Sequence, residues 1–392
     1  MKKLLIVSQG FEPEFFPINL FAKNLPKNYK VDILTGKPNY PKGKIYPGYS
    51  AFSLTKEIKK KYTIYRVPIF PRGTNSNLRI LLNYFSFIIS GIILGSYLLK
   101  GKKYDYIFVY ATSPIFQSFI AIFFKIIKKK VKLILWVQDL WPEVLKDTGV
   151  IKNKILLKIL DKIINKIYVC FDLIFVQSES FKNYINKKKI SNCKILHNPG
   201  YNFFFKIKKK VSKKINILYA GNIGKAQPVE FICKLVNNLP KNYFFNIAGS
   251  GKDYSKLYNK LNFKNKNFEL LGNLSFKKLR YFYNQSDALF LFLKNNKNLN
   301  KTIPSKFQSY LSVGKPILAS IGGDTKNIIK VNRIGYVSKP CNVNDTLKIF
   351  RNFSNVSKIG RIKMGILCKK YYKKKFHITN IINSFIKEIE KL

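Results

Sequence analysis

Residues 302–320, TIPSKFQSYLSVGKPILAS, contain the pattern that decides the fold. Pro304 is favoured in the first turn of a helix and Gly314 just after the last turn, so this spacing predicts a short helix. An apolar strand, PILAS, follows immediately. The start of such a helix exposes backbone N–H groups beside Ser305 and Lys306, which favours the binding of an anion such as a phosphate. The other interpretation is an ordinary loop, helix and strand.

The same alternation of apolar strands and helices extends on both sides of this segment. Runs such as LLIV, YIFVY and LILWV are continuously apolar, which is typical of strands buried on both faces of a parallel sheet. A first series ends near residue 199, and a second begins with NILYAGN after a basic, loop-like stretch. We therefore predict an α/β protein with two doubly wound domains and a ligand cleft between them.

The elements of the first series can be listed from their periodicity. Strands are predicted at residues 3–8, 31–35, 63–67, 106–111, 132–137, 173–177 and 194–196, and helices at residues 16–25, 78–99, 114–127, 154–169 and 179–187.

Length and composition agree with this architecture. A chain of 392 residues exceeds the usual size of a single core, and a hydrophobic content of 46% is sufficient for two. The five cysteines are scattered and odd in number, which favours reduced, structural cysteines in a cytosolic protein. His197 and His377 are the only histidines, so we expect no histidine-rich metal cluster.

The formal net charge of +53 comes mostly from lysine, with dense runs at residues 59–61, 128–130, 187–189, 208–210 and 373–375. Such runs attract nucleic acid or anionic lipid, or are simply solvated. The sequence has no zinc-finger, RRM or helix-turn-helix signature, so nucleic acid is the least favoured of these partners.

Residues 80–99, ILLNYFSFIISGIILGSYLL, are about long enough to span a bilayer. Asn83 and three serines make the segment weakly hydrophobic for that role, so we expect a helix inside the protein or partly in the membrane interface. The N-terminus does not resemble a signal peptide, because Glu12 and Glu14 interrupt its short apolar run.

The loop after the strand NILYAGN is a second candidate for phosphate binding. In AGNIGKAQP, residues 220–228, Gly221 and Gly224 permit a tight turn and a close approach to a ligand, and Lys225 adds a positive charge. The sequence matches neither G-x-G-x-x-G nor the P-loop, which excludes a dinucleotide fingerprint and the P-loop kinases and ATPases. Taken alone, the two glycines also fit a plain strand-to-helix turn.

Together these motifs resemble glycosyltransferase family 4. The matching segments are AGNIGKAQP, IAGSG, LGNLSFKKL, the step at residues 283–287 before ALFLFL, and IPSKFQSYLSVGKPI. Four further segments, GFEPEFFPIN, LTGKPNYPKGKIYPGY, LWVQDLWPE and HNPG, are similar to a bacterial subgroup that builds O-antigen or capsule units and includes proposed N-acetyl-L-fucosaminyltransferases. The resemblance covers nearly the whole chain.

This resemblance implies the GT-B fold, in which two Rossmann-like domains face each other. We expect an acceptor-binding domain at residues 1–200, a linker at residues 201–214, a nucleotide-sugar-binding domain at residues 215–372, and a C-terminal helix at residues 373–392 that packs back on the first domain. The family also implies transfer of a sugar from a UDP-sugar with retained anomeric configuration, without a metal or other cofactor. Which sugar, linkage and polysaccharide are involved stays open.

The residues that the resemblance assigns to the donor fall into two groups. The diphosphate group would be bound by Gly224, Lys225, Ser305 and Lys306, and the nucleoside by Gly249, Gly251, Asn273, Leu274, Gln308 and Ser309.

The chain departs from the family pattern at the ribose position. Many members carry two glutamates eight residues apart, where this chain has Lys301 and Ser309, with Gln308 beside the latter. Gln308 or Ser309 would hydrogen-bond a ribose hydroxyl more weakly than a carboxylate does.

A second departure concerns catalysis. Many members have a histidine where this chain has Gln138, and a glutamine does not exchange protons near neutral pH. If a proton is transferred, Asp139, Glu143 or Glu14 must accept it, and we favour Asp139. The other interpretation is that Asp139 caps the following turn.

Acceptor residues are expected near the first strand and in the long loop at residues 37–49. Glu14 and Asn19 lie where the family meets its acceptor, and Tyr40 and Tyr46 are suited to stack on sugar rings. A polyprenyl-diphosphate-linked saccharide would account for residues 80–99, the lysine run at residues 128–130 and the net charge, since basic residues bind anionic leaflets. We therefore expect a cytoplasmic protein at the inner face of the bacterial plasma membrane.

Two other function classes stay open on the sequence. A nucleotide-sugar 2-epimerase shares the two-domain architecture, but such enzymes use cleft carboxylates and histidines, in which this chain is poor. A basic nucleic-acid-binding protein is supported by charge alone.

Overall fold

The computed structural model describes residues 1–74, 76–203, 212–265 and 267–392. The chain forms two compact units, here called unit 1 (residues 1–199 and 381–392) and unit 2 (residues 200–380). Most of the predicted linker at residues 201–214, and the lysine run at residues 208–210, lie outside the described residues.

Unit 1 contains an eight-stranded sheet. Its strands are β1 (Lys2–Val7), β2 (Tyr29–Thr35), β3 (Thr55–Ile58), β4 (Tyr62–Arg66), β5 (Tyr106–Ala111), β6 (Lys132–Val137), β7 (Leu173–Val176) and β8 (Cys193–Ile195). The spatial order is β3-β4-β2-β1-β5-β6-β7-β8, and every neighbouring pair is parallel except β3 with β4. The central strands β5 and β6 are buried on both faces, as their continuous apolar sequence predicts.

Helices connect these strands. They are α1 (Pro17–Asn24), α2 (Asn77–Leu98), α3 (Ser118–Ile127), α4 (Glu143–Thr148), α5 (Lys154–Val169) and α6 (Glu179–Asn186), with a short 3-10 turn, Ile115–Gln117, before α3. The buried faces of α2, α3 and α5 share one hydrophobic core against the sheet, represented by Phe87, Phe124 and Ile164. The strands of unit 1 therefore carry helices that bury apolar faces, which is the packing expected of an α/β sheet.

Unit 2 contains a six-stranded, fully parallel sheet. Its strands are β9 (Ile215–Ala220), β10 (Tyr243–Ala248), β11 (Phe268–Gly272), β12 (Ala288–Phe292), β13 (Ile317–Ser320) and β14 (Gly335–Ser338). Its helices are α7 (Val229–Asn237), α8 (Tyr254–Lys260), α9 (Phe276–Gln285), α10 (Ser305–Val313), α11 (Gly323–Val331), α12 (Val343–Ser354) and α13 (Lys358–Lys375), and a 3-10 turn, Leu299–Lys301, precedes α10. The spatial order is β11-β10-β9-β12-β13-β14.

The last helix, α14 (Ile378–Ile389), follows a break after α13, so residues 373–392 are not one helix. Residues 381–392 belong to unit 1. The ring of Phe385 lies 4.9 Å from that of Phe21 and 4.8 Å from that of Phe108, measured between centroids. Phe385 is fully buried in this aromatic cluster.

Helix α2 is the one helix of the described residues that is long and apolar enough to cross a membrane. Its Asn83, Phe87, Gly91 and Gly95 face the interior of unit 1 at a spacing of four residues. Much of the opposite side is exposed, and only 22% of its most apolar window is buried.

Candidate functional site

The sheet of unit 2 reverses its strand order between β9 and β12. From β9 the chain moves outward through β10 and β11, then returns to place β12 on the other side of β9. Parallel α/β sheets bind ligands beyond the carboxyl ends of the strands at such a reversal. The loops after β9 and β12 meet there, because the Lys294 amide donates to the Ala226 carbonyl at 3.0 Å.

Three glycines fix the loops after β9 and β10 against each other. Gly221, Gly249 and Gly251 have φ values of +151°, +144° and +150°, which side-chain-bearing residues rarely adopt. A Cβ atom at Gly249 would overlap the carbonyl oxygen of Gly221, and one at Gly251 would overlap that of Ile223. The two backbones therefore approach as closely as glycine allows.

Lys306 reaches from the first turn of α10 to the loop after β9. Its ammonium donates to the phenol of Tyr219 and, at 3.1 Å, to the carbonyl of Asn222, and it lies 4.3 Å from the centre of the Tyr219 ring. None of these partners is negatively charged. Burial lowers the pKa of Lys306 to about 7, because the charged form loses hydration that no carboxylate in the described part of the chain replaces.

A Cβ atom at Gly221 would overlap the side chain of Lys306, so the glycine makes room for the lysine. Burial raises the pKa of Tyr219 well above its usual value, which keeps the phenol neutral. The arrangement is a half-buried cation that an anionic group can approach.

Helix α10 is fixed by Tyr310. The buried phenol of Tyr310 accepts from the Ala220 amide at 2.8 Å and donates to the Ala220 carbonyl at 3.2 Å. Pro304 is the N-cap and gives no side-chain cap, so the amides of Ser305 and Lys306 have no acceptor within the described part of the chain. The helix begins at Ser305, so Ser305 and Lys306 form its N-terminus as predicted.

The other predicted donor residues occupy different environments. Gly224 is buried, whereas Lys225 and Asn273 are exposed. Leu274 is partly buried against the core of unit 2. In α10, Gln308 is buried and Ser309 is half-buried.

Unit 1 contains a polar cavity of about 280 Å³. It brings together predicted and unpredicted residues: Glu14, Tyr40 and Asp139 on one hand, and Arg72, Asn83 and Tyr84 on the other. The guanidinium of Arg72 lies 5.7 Å from the Tyr40 ring centre and 5.5 Å from that of Tyr84. Aromatic rings, carboxylates and amides in one small cavity are suited to a neutral polyhydroxyl group.

Glu14 is nearly fully buried in this cavity wall. One of its carboxylate oxygens accepts from the amides of Asn39 and Tyr40, both at 2.6 Å. Burial raises the pKa of Glu14, and these amides together with Arg66 oppose the rise. Asp139 accepts a hydrogen bond from Ser113 Oγ at 2.7 Å.

Three predicted residues of unit 1 do not line this cavity. Gln138 accepts from Asn198 at 2.7 Å, and its carbonyl accepts from Gln177 at 2.6 Å. Asn19 donates to the Glu14 carbonyl at 2.5 Å, and Tyr46 donates to the Tyr40 carbonyl at 2.9 Å. Asn19 and Tyr46 therefore support the backbone of residues that do line the cavity.

Sequence reasoning missed Tyr219, Tyr310, Arg72 and Tyr84. The two tyrosines of unit 2 lie within segments already singled out, but their roles depend on contacts 87 and 90 residues apart in sequence. Arg72 and Tyr84 carry no motif, and only the fold brings them to Asp139.

Comparison with known protein families gives a similarity for most of unit 2. Residues 201–358 match the model of the family Glycosyl transferases group 1. No curated protein matches the sequence.

Comparison with solved structures gives the fold of the whole chain. Sucrose-phosphate synthase from Thermosynechococcus elongatus superimposes with a TM-score of 0.75 at 12% identity, covering 100% of this chain and 99% of that one. HepE from Anabaena, solved with UDP and glucose, gives 0.67 at 11% identity with 100% of both chains covered. A glycosyltransferase from Rickettsia africae gives 0.65 at 14% identity, covering 100% of this chain and 98% of that one. The predicted fold class is confirmed: the chain has the GT-B fold of glycosyltransferases, and residues 201–358 carry the similarity to the group 1 family.

Proposed function

We propose that this protein transfers a sugar from a UDP-sugar to a saccharide acceptor. The observation that carries the proposal is Lys306, a half-buried ammonium with no carboxylate partner among the described residues, beside the glycine loops at the strand reversal of unit 2. The match to glycosyl transferases group 1 and the UDP bound by HepE support a nucleotide-sugar as the anion.

The chemistry of the donor explains why a cation is needed. When the sugar leaves, the nucleoside diphosphate gains negative charge, and fixed cations and N–H groups that stabilise this charge lower the barrier. We assign that role to Lys306, Lys225, Gly224 and the amide groups at Ser305. We further propose retention of anomeric configuration and no metal requirement, with Gly249, Gly251, Asn273, Leu274, Gln308 and Ser309 around the nucleoside.

The acceptor is proposed to bind unit 1. Its cavity combines Asp139 and Glu14 with the rings of Tyr40 and Tyr84, a set suited to a sugar ring. Asp139 would accept the proton of the attacking hydroxyl, with Glu14 holding the acceptor sugar. Asn19 and Tyr46 would act by positioning the loops of that cavity.

We propose a polyprenyl-diphosphate-linked saccharide as the acceptor, in the synthesis of O-antigen, capsule or exopolysaccharide. The transferred sugar would be an N-acetylated deoxyhexosamine such as N-acetyl-L-fucosamine, by the sequence resemblance. The protein would then work in the cytoplasm at the inner face of the plasma membrane.

Thermal unfolding with added ligands tests the donor class. We expect UDP to raise the melting temperature, whereas ATP, NAD and an oligonucleotide leave it unchanged. Lys306→Met should remove most of the UDP shift, and Lys358→Met, which replaces an exposed lysine of α13, should retain it. A response to the oligonucleotide alone would contradict the proposal.

Turnover identifies the reaction. Mass spectrometry of a synthetic polyprenyl-diphosphate sugar, incubated with a panel of UDP-sugars, should detect one added sugar residue. NMR of the product linkage gives the anomeric outcome, and activity should persist in EDTA. Conversion of a UDP-sugar to its epimer without acceptor would instead indicate the 2-epimerase.

A further inference from the structure

Helix α2 exposes a continuous apolar face. Leu78, Leu82, Phe85, Ile89, Ile93 and Tyr97 recur every three or four residues and are all exposed, with Phe85, Ile89 and Ile93 at 55%, 57% and 63%. We call these six residues the α2 face. Arg79 is the only charged residue in the 22-residue helix. A water-facing helix normally shows polar residues at such positions, so this face is suited to an apolar partner.

The opposite side of α2 is fixed to unit 1. A Cβ atom at Gly91 would lie 2.5 Å from Ile120 of α3, and one at Gly95 would lie 3.0 Å from Leu34. Ser90 donates to the Pro68 carbonyl at 2.6 Å, and Asn83 donates to the Phe70 carbonyl at 2.7 Å. Crossing a bilayer would break these contacts and bury their polar groups in hydrocarbon, so α2 is suited to lie along a membrane surface.

Lysines cluster at the C-terminal ends of α2 and α3. Lys100 and Lys103 follow α2, and Lys129 and Lys130 follow α3, all exposed to solvent. Lys128 joins the two groups by donating to the carbonyl of Lys102. We call Lys100, Lys103, Lys129 and Lys130 the basic end. An apolar helix face beside exposed lysines complements an anionic lipid surface, where the tails take the apolar side chains and the head groups take the ammonium groups.

The same helix contributes to the polar cavity of unit 1. Asn83 and Tyr84 of α2 line that cavity together with Asp139 and Arg72. One turn of α2, residues 82–85, therefore carries both cavity residues and residues of the α2 face. An acceptor with a polar head and an apolar tail would find both binding surfaces along one helix.

We propose that α2 lies in the plane of an anionic bilayer, with the α2 face among the lipid tails and the basic end on the head groups, and that it receives the acceptor head group directly from that bilayer. The second half of this inference rests on the proposed glycosyl transfer; the first half does not.

Vesicle co-sedimentation of the full chain tests the docking surface. Vesicles of phosphatidylcholine mixed equally with phosphatidylglycerol should bind the protein, and vesicles of phosphatidylcholine alone should bind it far less. The variant F85Q/I89Q/I93Q keeps helix-forming residues and should weaken binding by about tenfold or more, because three apolar side chains lose their burial. The matched control is I359Q/I362Q/I366Q, which removes three comparably exposed isoleucines from α13 and should bind as the wild type does.

A second pair of variants tests how much the lysines of the basic end contribute to vesicle binding. K103Q/K129Q/K130Q should reduce binding by roughly fivefold for each lysine at low salt, because each contributes to attraction by an anionic leaflet. K373Q/K374Q/K375Q loses the same charge from the exposed end of α13 and should change binding much less.

The outcomes separate the inference from the proposed function. Failure of the wild type to bind anionic vesicles, equal binding to both vesicle types, or equal losses in the control variants would each overturn the docking surface. A dimer that F85Q/I89Q/I93Q dissociates, without vesicle binding, would assign the α2 face to a second copy of the chain and overturn it as well. Vesicle binding without any UDP response would retain the docking surface and reject the glycosyl transfer.

Sugar transfer to the acceptor tests the second half of the inference, in which α2 receives the acceptor head group from the bilayer. F85Q/I89Q/I93Q should lose activity on a polyprenyl-linked acceptor in vesicles and keep both its UDP-induced thermal shift and its activity on a tail-free, soluble acceptor. Equal loss with both acceptors would overturn delivery from the bilayer.

Discussion

The pKa of Lys306 predicts how the affinity for UDP depends on pH. In the free protein, burial lowers the pKa of Lys306 to about 7. A diphosphate beside the ammonium favours its charged form, so binding raises this pKa and takes up a proton above neutral pH. The affinity must then fall as the pH rises. Above pH 7 the phosphates of UDP are almost fully ionised, so they add little to the trend.

The size of the effect follows from the same pKa. Each pH unit above the pKa reduces the protonated fraction of Lys306 by up to tenfold. The dissociation constant of UDP should therefore rise about 25-fold between about pH 7.5 and pH 9. Titration calorimetry of UDP across this range measures it directly. Lys306→Arg keeps its charge throughout and should flatten the dependence, and Lys306→Met should bind weakly at every pH.

Stability should show the opposite trend. Because the folded pKa of Lys306 lies below its usual value, the unfolded chain binds more protons between about pH 7 and pH 10.5. The wild type should therefore gain stability relative to Lys306→Met as the pH rises through this window. An unchanged affinity for UDP between pH 7.5 and pH 9, or the same slope in Lys306→Met, would refute the reasoning.

Three further predictions concern packing and buried charge. Gly249→Ala should lower the melting temperature and abolish UDP binding, because the added Cβ atom overlaps the Gly221 carbonyl. The control Gly101→Ala, at a glycine with positive φ but open space around it, should reduce the unfolding free energy by only about 1 kcal/mol. Phe385→Ala should reduce the unfolding free energy by about 3–5 kcal/mol in chemical denaturation, and a smaller loss would contradict the aromatic packing of α14. Burial lowers the pKa of Lys37 to about 8, so Lys37→Met should stabilise the protein at neutral pH and lose this advantage as the pH rises above 8. Denaturation midpoints of the variant and the wild type, compared at neutral pH and above pH 8, measure this difference in stability. A larger advantage of Lys37→Met at the higher pH would contradict the prediction.

The regular elements were predictable wherever the chain is continuously apolar. The predicted strands at residues 106–111 and 132–137 match β5 and β6 residue for residue. Strand β3 was missed because its four residues, TKEI, alternate at a half-exposed sheet edge and carry little apolar signal. Helix α4 was missed because six residues are too few to establish a helical period.

The site was predictable only where one short segment contains it. The helix start at Ser305 and Lys306 is visible in the sequence, because Pro304 marks the start of the helix locally and Gly314 marks its end. The lowered pKa of Lys306 is not, because it arises from burial beside Tyr219 on another strand. Adjacent residues also diverge: Asp139 lines the cavity of unit 1, whereas Gln138 bonds Asn198 instead. Such outcomes depend on side-chain direction at the strand end, which no spacing rule gives.

Chemical labelling of Lys306 tests the central claim most directly. An amine with a pKa of about 7 is about half uncharged at neutral pH, far more than an ordinary lysine, so an amine-reactive reagent at limiting concentration should modify Lys306 despite its partial burial. Peptide mass spectrometry then compares labelling with and without saturating UDP, using the exposed Lys358 as the internal reference. We predict that UDP protects Lys306 and leaves Lys358 unchanged. Equal labelling of Lys306 in both samples, under conditions where UDP is bound, would contradict the claim that this lysine holds the donor diphosphate.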